Sequence, residues 1–157
     1  PTIQFDFNLP KRFDVTFIDK DGKEKNVVMI HRAILGSLER FLGTLLEYHR
    51  GALPVWLSPI QVWICSVVTD VNDYCEKIKE KLEKEEIRCY FDDSADRITA
   101  KIKRASLQRP PYIIIVGKKE AEENTVSVRK RGKGEIGKFL LDEFINLIKK
   151  EIRERVV

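Results

Sequence analysis

His31, Ser37 and Arg40 stand close together near the front of the chain, in the stretch "MIHRAILGSLERFLGTLLE" at 29–47. An imidazole can hold a metal or move a proton near neutral pH. A guanidinium suits a phosphate and can stack on a flat ring. Taken singly, each residue also has a plainer explanation. A lone histidine at a strand end is more often a hydrogen-bonded core residue than a ligand, and an arginine on an amphipathic helix usually faces water. Zinc needs three or four ligands, and the other histidine, His49, falls beyond the helix and out of easy reach. There is no Ser-His-Asp arrangement, no glycine-rich phosphate loop and no convincing carboxylate pair. Cys65, Cys75 and Cys89 are odd in number and lack CxxC spacing. They read as reduced, buried thiols, not as a metal or disulfide set.

A second constellation is basic. Arg97, Lys101 and Arg104 fall at i, i+4 and i+7, with Gln108 beside them, which places them on one face of a helix. Lys118 and Lys119 follow an apolar strand, and Arg129, Lys130, Arg131 and Lys133 crowd a strand end and its turn. A solvated surface explains any one lysine. Three clusters at loop ends on one side of a sheet instead suit the phosphates of an RNA. The overall charge of +4 and pI near 9.0 point the same way only weakly. With 43% hydrophobic and 34% charged residues the composition is that of a globular chain. No apolar run approaches the ~20 residues that span a bilayer, and "PTIQFDF" has no signal-peptide layout. A cytoplasmic location is expected.

Two unequal parts position these residues. In the first, Ile3, Phe5 and Phe7 alternate, as do Phe13, Val15 and Phe17, which predicts two strands. "DKDGKE" has turn chemistry, and "NVVMI" returns as a strand ending at His31. A helix is expected from Ala33 to about Tyr48, stopped by Gly51. So few elements cannot cover these aromatics, and the part reads as the edge of a larger sheet. "RGALPVWLSPIQ" carries two prolines and no periodicity, so the expected division is 1–50, a linker at 51–59, and 60–157.

The second part alternates strand and helix. "QVWICSVV", "RCYF", "YIIIV" and "TVSVRKR" are expected strands. "VNDYCEKIKEKLEKE", "RITAKIKRASLQ" and a closing "LLDEFINLIKKEIRERV" are expected helices, with Tyr74, Ile78, Leu82, Ile98, Ile102 and Ala105 inward. The expected fold class is α/β, a mixed, mostly parallel sheet flanked by helices, preceded by an antiparallel strand-plus-helix segment.

The motifs "TIQFDFNLPKRFD" and "VMIHRAILGSLERFLGTLLE", followed by a Trp-Leu-Pro-Gln-Val series, closely resemble the threonyl-tRNA synthetase family, from residue 2 to the end. "GSLERFLG" is similar to motif 3 of class II aminoacyl-tRNA synthetases. The resemblance implies that His31 is one of three protein ligands of a catalytic zinc that holds the amino and hydroxyl groups of threonine. A site built to bind a hydroxyl rejects valine well, because the isostere leaves polar partners unsatisfied. It further implies that Arg40 contacts ATP, brought with Mg, that Gln4 contacts threonine and that Ser37 lines the site. The other zinc ligands and motifs 1 and 2 precede this region in the family. The expectation is therefore one wall of a site, with no zinc or ATP held by these residues alone. The family enzyme is a homodimer, whereas residues 1–157 by themselves are expected to be monomeric.

The second part resembles the anticodon-binding domain of threonyl-, prolyl-, histidyl- and glycyl-tRNA synthetases. By that resemblance the anticodon contacts fall near Arg97, Lys103, Arg109, Glu120 and Arg129, while Lys101, Lys103 and Arg104 hold phosphates. The implied partner is the anticodon stem-loop of threonine tRNA, whose anticodons end in G and U. Two positions depart from the family: Ala95 replaces a base-reading asparagine, and Ser94 stands where an arginine is usual. The alternatives are a non-catalytic nucleic-acid-binding accessory module with the same fold, or a dimerisation piece with incidental basic faces. The intact "MIHRAILGS" and "ERF" run argues against the accessory module, which has no need of zinc and ATP residues. Salt-dependent binding to a tRNA separates the dimerisation reading from the others.

Overall fold

Strand β1 (Thr2–Asp6) pairs antiparallel with β4 (Met29–Ala33). The expected second strand over 13–17 shrinks to β2 (Thr16–Ile18), because a short helix, α1 (Asn8–Arg12), precedes it. The Asp6 carboxylate causes this by accepting the backbone N–H groups of Asn8 at 2.8 Å and Leu9 at 3.0 Å, a local turn that competes with extension. β2 pairs with β3 (Glu24–Asn26) across a turn in which Gly22 takes φ 74. "NVVMI" is thus divided: β3 and β4 join different partners, so the chain must bend at Val27–Val28. His31 consequently lies in the middle of β4 and not at its end. Helix α2 (Leu38–Tyr48) starts five residues later than expected. Gly36 has φ 70, outside helical space, and Ser37 Oγ accepts the Arg40 N–H at 3.4 Å as an N-cap.

The computed structural model describes residues 1–156. It divides into two compact units, Pro1–Tyr48 and His49–Val157. Pro10 is the one buried residue of the first among those described. The stretch 51–59 packs into the second unit. Val55 is buried, Gln61 donates to its carbonyl at 2.9 Å, and Arg88 donates through Nε to the Ser58 carbonyl at 3.0 Å.

The second unit is a five-stranded sheet in the order β6-β5-β7-β8-β9. These are β5 (Val62–Ser66), β6 (Cys89–Asp92), β7 (Tyr112–Val116), β8 (Thr125–Lys130) and β9 (Gly134–Leu140). β5 runs parallel to both β6 and β7, and β8 alone is reversed, so four of the five strands point one way. Helices α3 (Asn72–Lys84) and α6 (Leu141–Glu154) cover one face through Ile78, Leu82, Phe144 and Ile148. Helix α4 (Ile98–Gln108) covers the other through Ala105, against Trp63, Cys65 and Ile113. Burial on both faces explains the unbroken "YIIIV" of β7.

Besides α1, two elements leave no sign in the sequence: α5 (Lys118–Glu123) and β9. The first is too short to show a period. In the second, Ile136 is an extra residue between the pairs Val128–Gly137 and Arg129–Glu135. That bulge lets Ile136 and Phe139, an odd distance apart, both pack on the α3–α6 core, and so hides the alternation.

Candidate nucleic-acid interface

In the first unit, pairing places Gln4 directly opposite His31. Cross-strand partners share a face, so the two residues assigned to the threonine site stand side by side. Asp6, two residues on, reaches His31 Nε2 through Oδ2 at 3.0 Å. The backbone N–H of Leu9, then His31, then the N–H of Asn8 hold the Asp6 carboxyl below its ordinary 3.8. Ser37 donates to Glu39 at 2.6 Å while capping α2. The guanidinium of Arg40 is exposed at the first turn of that helix and makes no hydrogen bond or ion pair among the described residues. Around His31, no group of three or more His, Cys, Asp or Glu converges among the described residues.

In the second unit the topology sorts the basic residues into two ends of the sheet, not one. Lys118 and Glu120 follow the last residue of β7, and Arg97 and Lys101 begin α4 just after β6 ends. Because β8 runs back, Lys130 pairs with Tyr112, the first residue of β7. Arg129, Arg131 and Lys133 therefore lie at the opposite end, beside Arg109, which closes α4 with φ 53. There Arg109, Arg129, Ser106 and Ile113 line a groove of about 370 Å³.

Several of the expected RNA contacts are already occupied. Lys101 is 2% exposed, and its Nζ donates to Ser66 Oγ at 2.9 Å and to the Asp92 carbonyl at 3.0 Å. It cannot hold a phosphate: the helix spacing is right, but this position faces the sheet. Arg104 pairs with Asp92 at 2.7 Å and with Asp96. Arg131 donates to the carbonyls of Arg109, Leu53 and, at 3.0 Å, Ala52, and Lys130 pairs with Glu151. Arg109 donates to the Arg50 carbonyl. Arg97, Lys103 and Arg129 remain without side-chain partners among the described residues, and Arg97 and Lys103 are exposed.

Sequence reasoning missed the neighbours of Arg129. A cross-strand row runs Tyr90–Trp63–Ile113–Arg129–Glu135, and the next runs Ile115–Ser127–Lys138. Both rows lie on the α4 face, and α4 packs over Trp63 and Ile113, leaving β8 and β9 as an open polar strip. The alternation in "TVSVRK" carried this signal, since Ser127 and Arg129 are its polar positions. At the strip's upper end Glu120 accepts the Gly117 N–H at 3.0 Å and the Ser127 hydroxyl at 3.1 Å, and pairs with Lys138 at 3.0 Å. Burial by itself would raise its carboxyl, but these donors together with its own backbone N–H outweigh burial and hold it below the ordinary 4.5. The group is thus a carboxylate with its acceptors largely engaged. A Cβ at position 117 would sit 2.9 Å from its Oε2, so a side chain there would make this carboxylate shift.

Comparison with known proteins bears on both units. Residues 61–151 match the model of the "Anticodon binding domain", and residues 1–49 match that of the "tRNA synthetase class II core domain (G, H, P, S and T)". The threonine-tRNA ligase of Clostridioides difficile (strain 630) is 50% identical over 154 residues, covering 98% of this chain and 24% of that protein. The threonine-tRNA ligase catalytic subunit of Sulfurisphaera tokodaii is 51% identical over 154 residues, covering 98% of this chain and 28% of that protein. The chain thus spans about a quarter of the length of such curated relatives. Among solved structures, the RNA binding domain of threonyl-tRNA synthetase from Cryptosporidium parvum superposes with a TM-score of 0.77 at 34% identity, over 94% of this chain and 38% of that one.

Proposed function

The chain belongs to the threonyl-tRNA synthetase family, and on that premise we propose that residues 49–157 bind the anticodon stem-loop of a threonine tRNA while residues 1–48 line one side of the site that activates threonine. The full reaction joins threonine to its tRNA at the expense of ATP, through an aminoacyl-adenylate. The observation that carries the reading is the open strip on β8 and β9. There the unpaired Arg129 shares a face with Ser127 and Lys138 and a groove with Arg109. Splayed-out loop bases meet donors at Arg129 and at the part of the Arg109 guanidinium not taken by the Arg50 carbonyl. The exposed, unpaired Arg97 offers them a donor at the other end of the sheet, while the exposed Lys103 suits the flanking phosphates. Glu120 contributes to base reading only by exchanging one of its present donors for a base.

In the first unit this reading assigns Gln4 to threonine, Ser37 to the site's wall, and the free Arg40 to ATP and its magnesium. Arg40's lack of an internal partner supports that role, since a planar cation left unpaired is available to a phosphate or an adenine. His31 is the imidazole assigned to zinc. The described residues do not by themselves make a zinc site. A homodimeric enzyme working in the cytoplasm belongs to the same proposal. No helix among the described residues is long and apolar enough to cross a membrane.

Binding of anticodon stem-loop RNAs to the 157-residue chain at several salt concentrations tests this. Arg129→Ala should cost about 1–3 kcal/mol, chiefly for loops carrying the threonine anticodon. Lys103→Ala should weaken all loops alike and lower the salt slope by about one. Equal affinity of the unaltered chain for threonine and unrelated loops at physiological salt would sink the anticodon reading.

A further inference from the structure

Lys101 is the most deeply buried cation among the described residues, and nothing in the binding surface uses it directly. Burying an ammonium is costly unless it is fully hydrogen-bonded, so the arrangement around it calls for an explanation. Its Nζ joins the ends of two neighbouring strands: Ser66 Oγ closes β5 at 2.9 Å, and the Asp92 carbonyl closes β6 at 3.0 Å. Asp92, itself 2% exposed, carries the connection further. Its Oδ1 accepts the Ser94 hydroxyl at 2.7 Å, and its Oδ2 accepts Arg104 at 2.7 Å. Arg104 then reaches across to Asp96. The connection 93–97 between β6 and α4 is therefore held just before it at Asp92, and within it at Ser94 and at Asp96, by groups that converge on one buried hub. At its end stands Arg97, exposed and unpaired, in extended conformation with φ −61 and ψ 144.

We propose that Lys101 is a positioning residue: its buried ammonium, acting through Ser66 and Asp92, holds the 93–97 connection in the shape in which Arg97 meets an anticodon base. This rests on the anticodon reading above. A hub that only filled space would serve as well with an apolar stem. A hub that orders a loop must instead tie backbone and side chains near that loop, and the contacts at Asp92 do so. Lys101 never touches RNA, so its removal should leave the electrostatic part of binding alone and remove selectivity.

The test uses the 157-residue chain with Lys101→Met, which keeps the stem and deletes the ammonium. Ser66→Ala is a milder change at the other end of the same bond, and carries the test if the first variant does not fold. Each is read by the ratio of affinities for the threonine stem-loop and a loop with one anticodon base exchanged, by the salt slope, and by hydrogen exchange at 93–97. The expected result is a selectivity ratio lowered by about tenfold, the scale of one lost base contact, with an unchanged salt slope and faster exchange at 93–97. A salt slope reduced by about one would mean that Lys101 touches a phosphate, and would overturn the proposal. Equal weakening for both loops would reduce the hub to a structural role and also overturn it. Unchanged exchange at 93–97 would refute the tie to the loop whatever the RNA data show. A wild-type chain that does not discriminate would refute the anticodon reading and the positioning role with it, while exchange still reports whether the hub orders the loop.

Discussion

Lys101 and Lys103 sit two positions apart on α4, carry the same charge, and have opposite fates: one is buried against Ser66 and Asp92, the other is free in water. Helical spacing groups residues onto a face but does not say which face meets the sheet. The three thiols show the same control by burial. Burial pushes Cys65 up to about 12, with the Asp92 carboxylate adding to it, and pushes Cys75 up to about 12 and Cys89 to about 11. The thiolate is the reactive form, so Cys65 and Cys75, both with no exposed surface, should resist a disulfide reagent in the native chain. Under denaturant all three should react. Rapid labelling of Cys65 without denaturant, followed by peptide mapping, would contradict this.

Elements with a full period were legible, and those without one were not. α3, α4 and α6 each show apolar residues at helical spacing, and β5 and β7 are short apolar runs bounded by turns. The six residues of α5 and the bulged β9 give no periodic signal, and α1 forms because Asp6 captures two backbone donors. Within this layer β7 is central, flanked by β5 and β8 and covered on both faces. Ile114→Ala, at a site with no exposed surface, should lower unfolding free energy by about 2–5 kcal/mol through lost burial and a residual cavity. Leu107→Ala, on the solvent side of α4 at 72% exposure, should stay within about 0.5 kcal/mol. Denaturant titrations of the two variants check the contrast, and equal losses would mean that the face of α4 is misassigned.

The two units differ most in how much apolar surface they cover. The second buries clusters on both faces of its sheet, whereas Ile3, Phe5, Phe7 and Ile30 in the first are each more than half exposed. Amides of β1 and β4 should therefore exchange far faster than those of β5 and β7, which should approach the global stability, on the order of 5–15 kcal/mol for a domain. Hydrogen exchange with equal protection in both units would refute this. What the sequence by itself determined was the chemistry: the synthetase motifs, an α/β sheet in the second unit, and which residue types could meet RNA, phosphate or metal. Those follow from side-chain identity and local period, which are properties of neighbouring residues. The pairing of Gln4 with His31, the split of the basic residues between two ends of the sheet, and the burial of Lys101 came only with tertiary structure. Each depends on strand order and direction, set by contacts between residues far apart in the chain, and no local pattern encodes them.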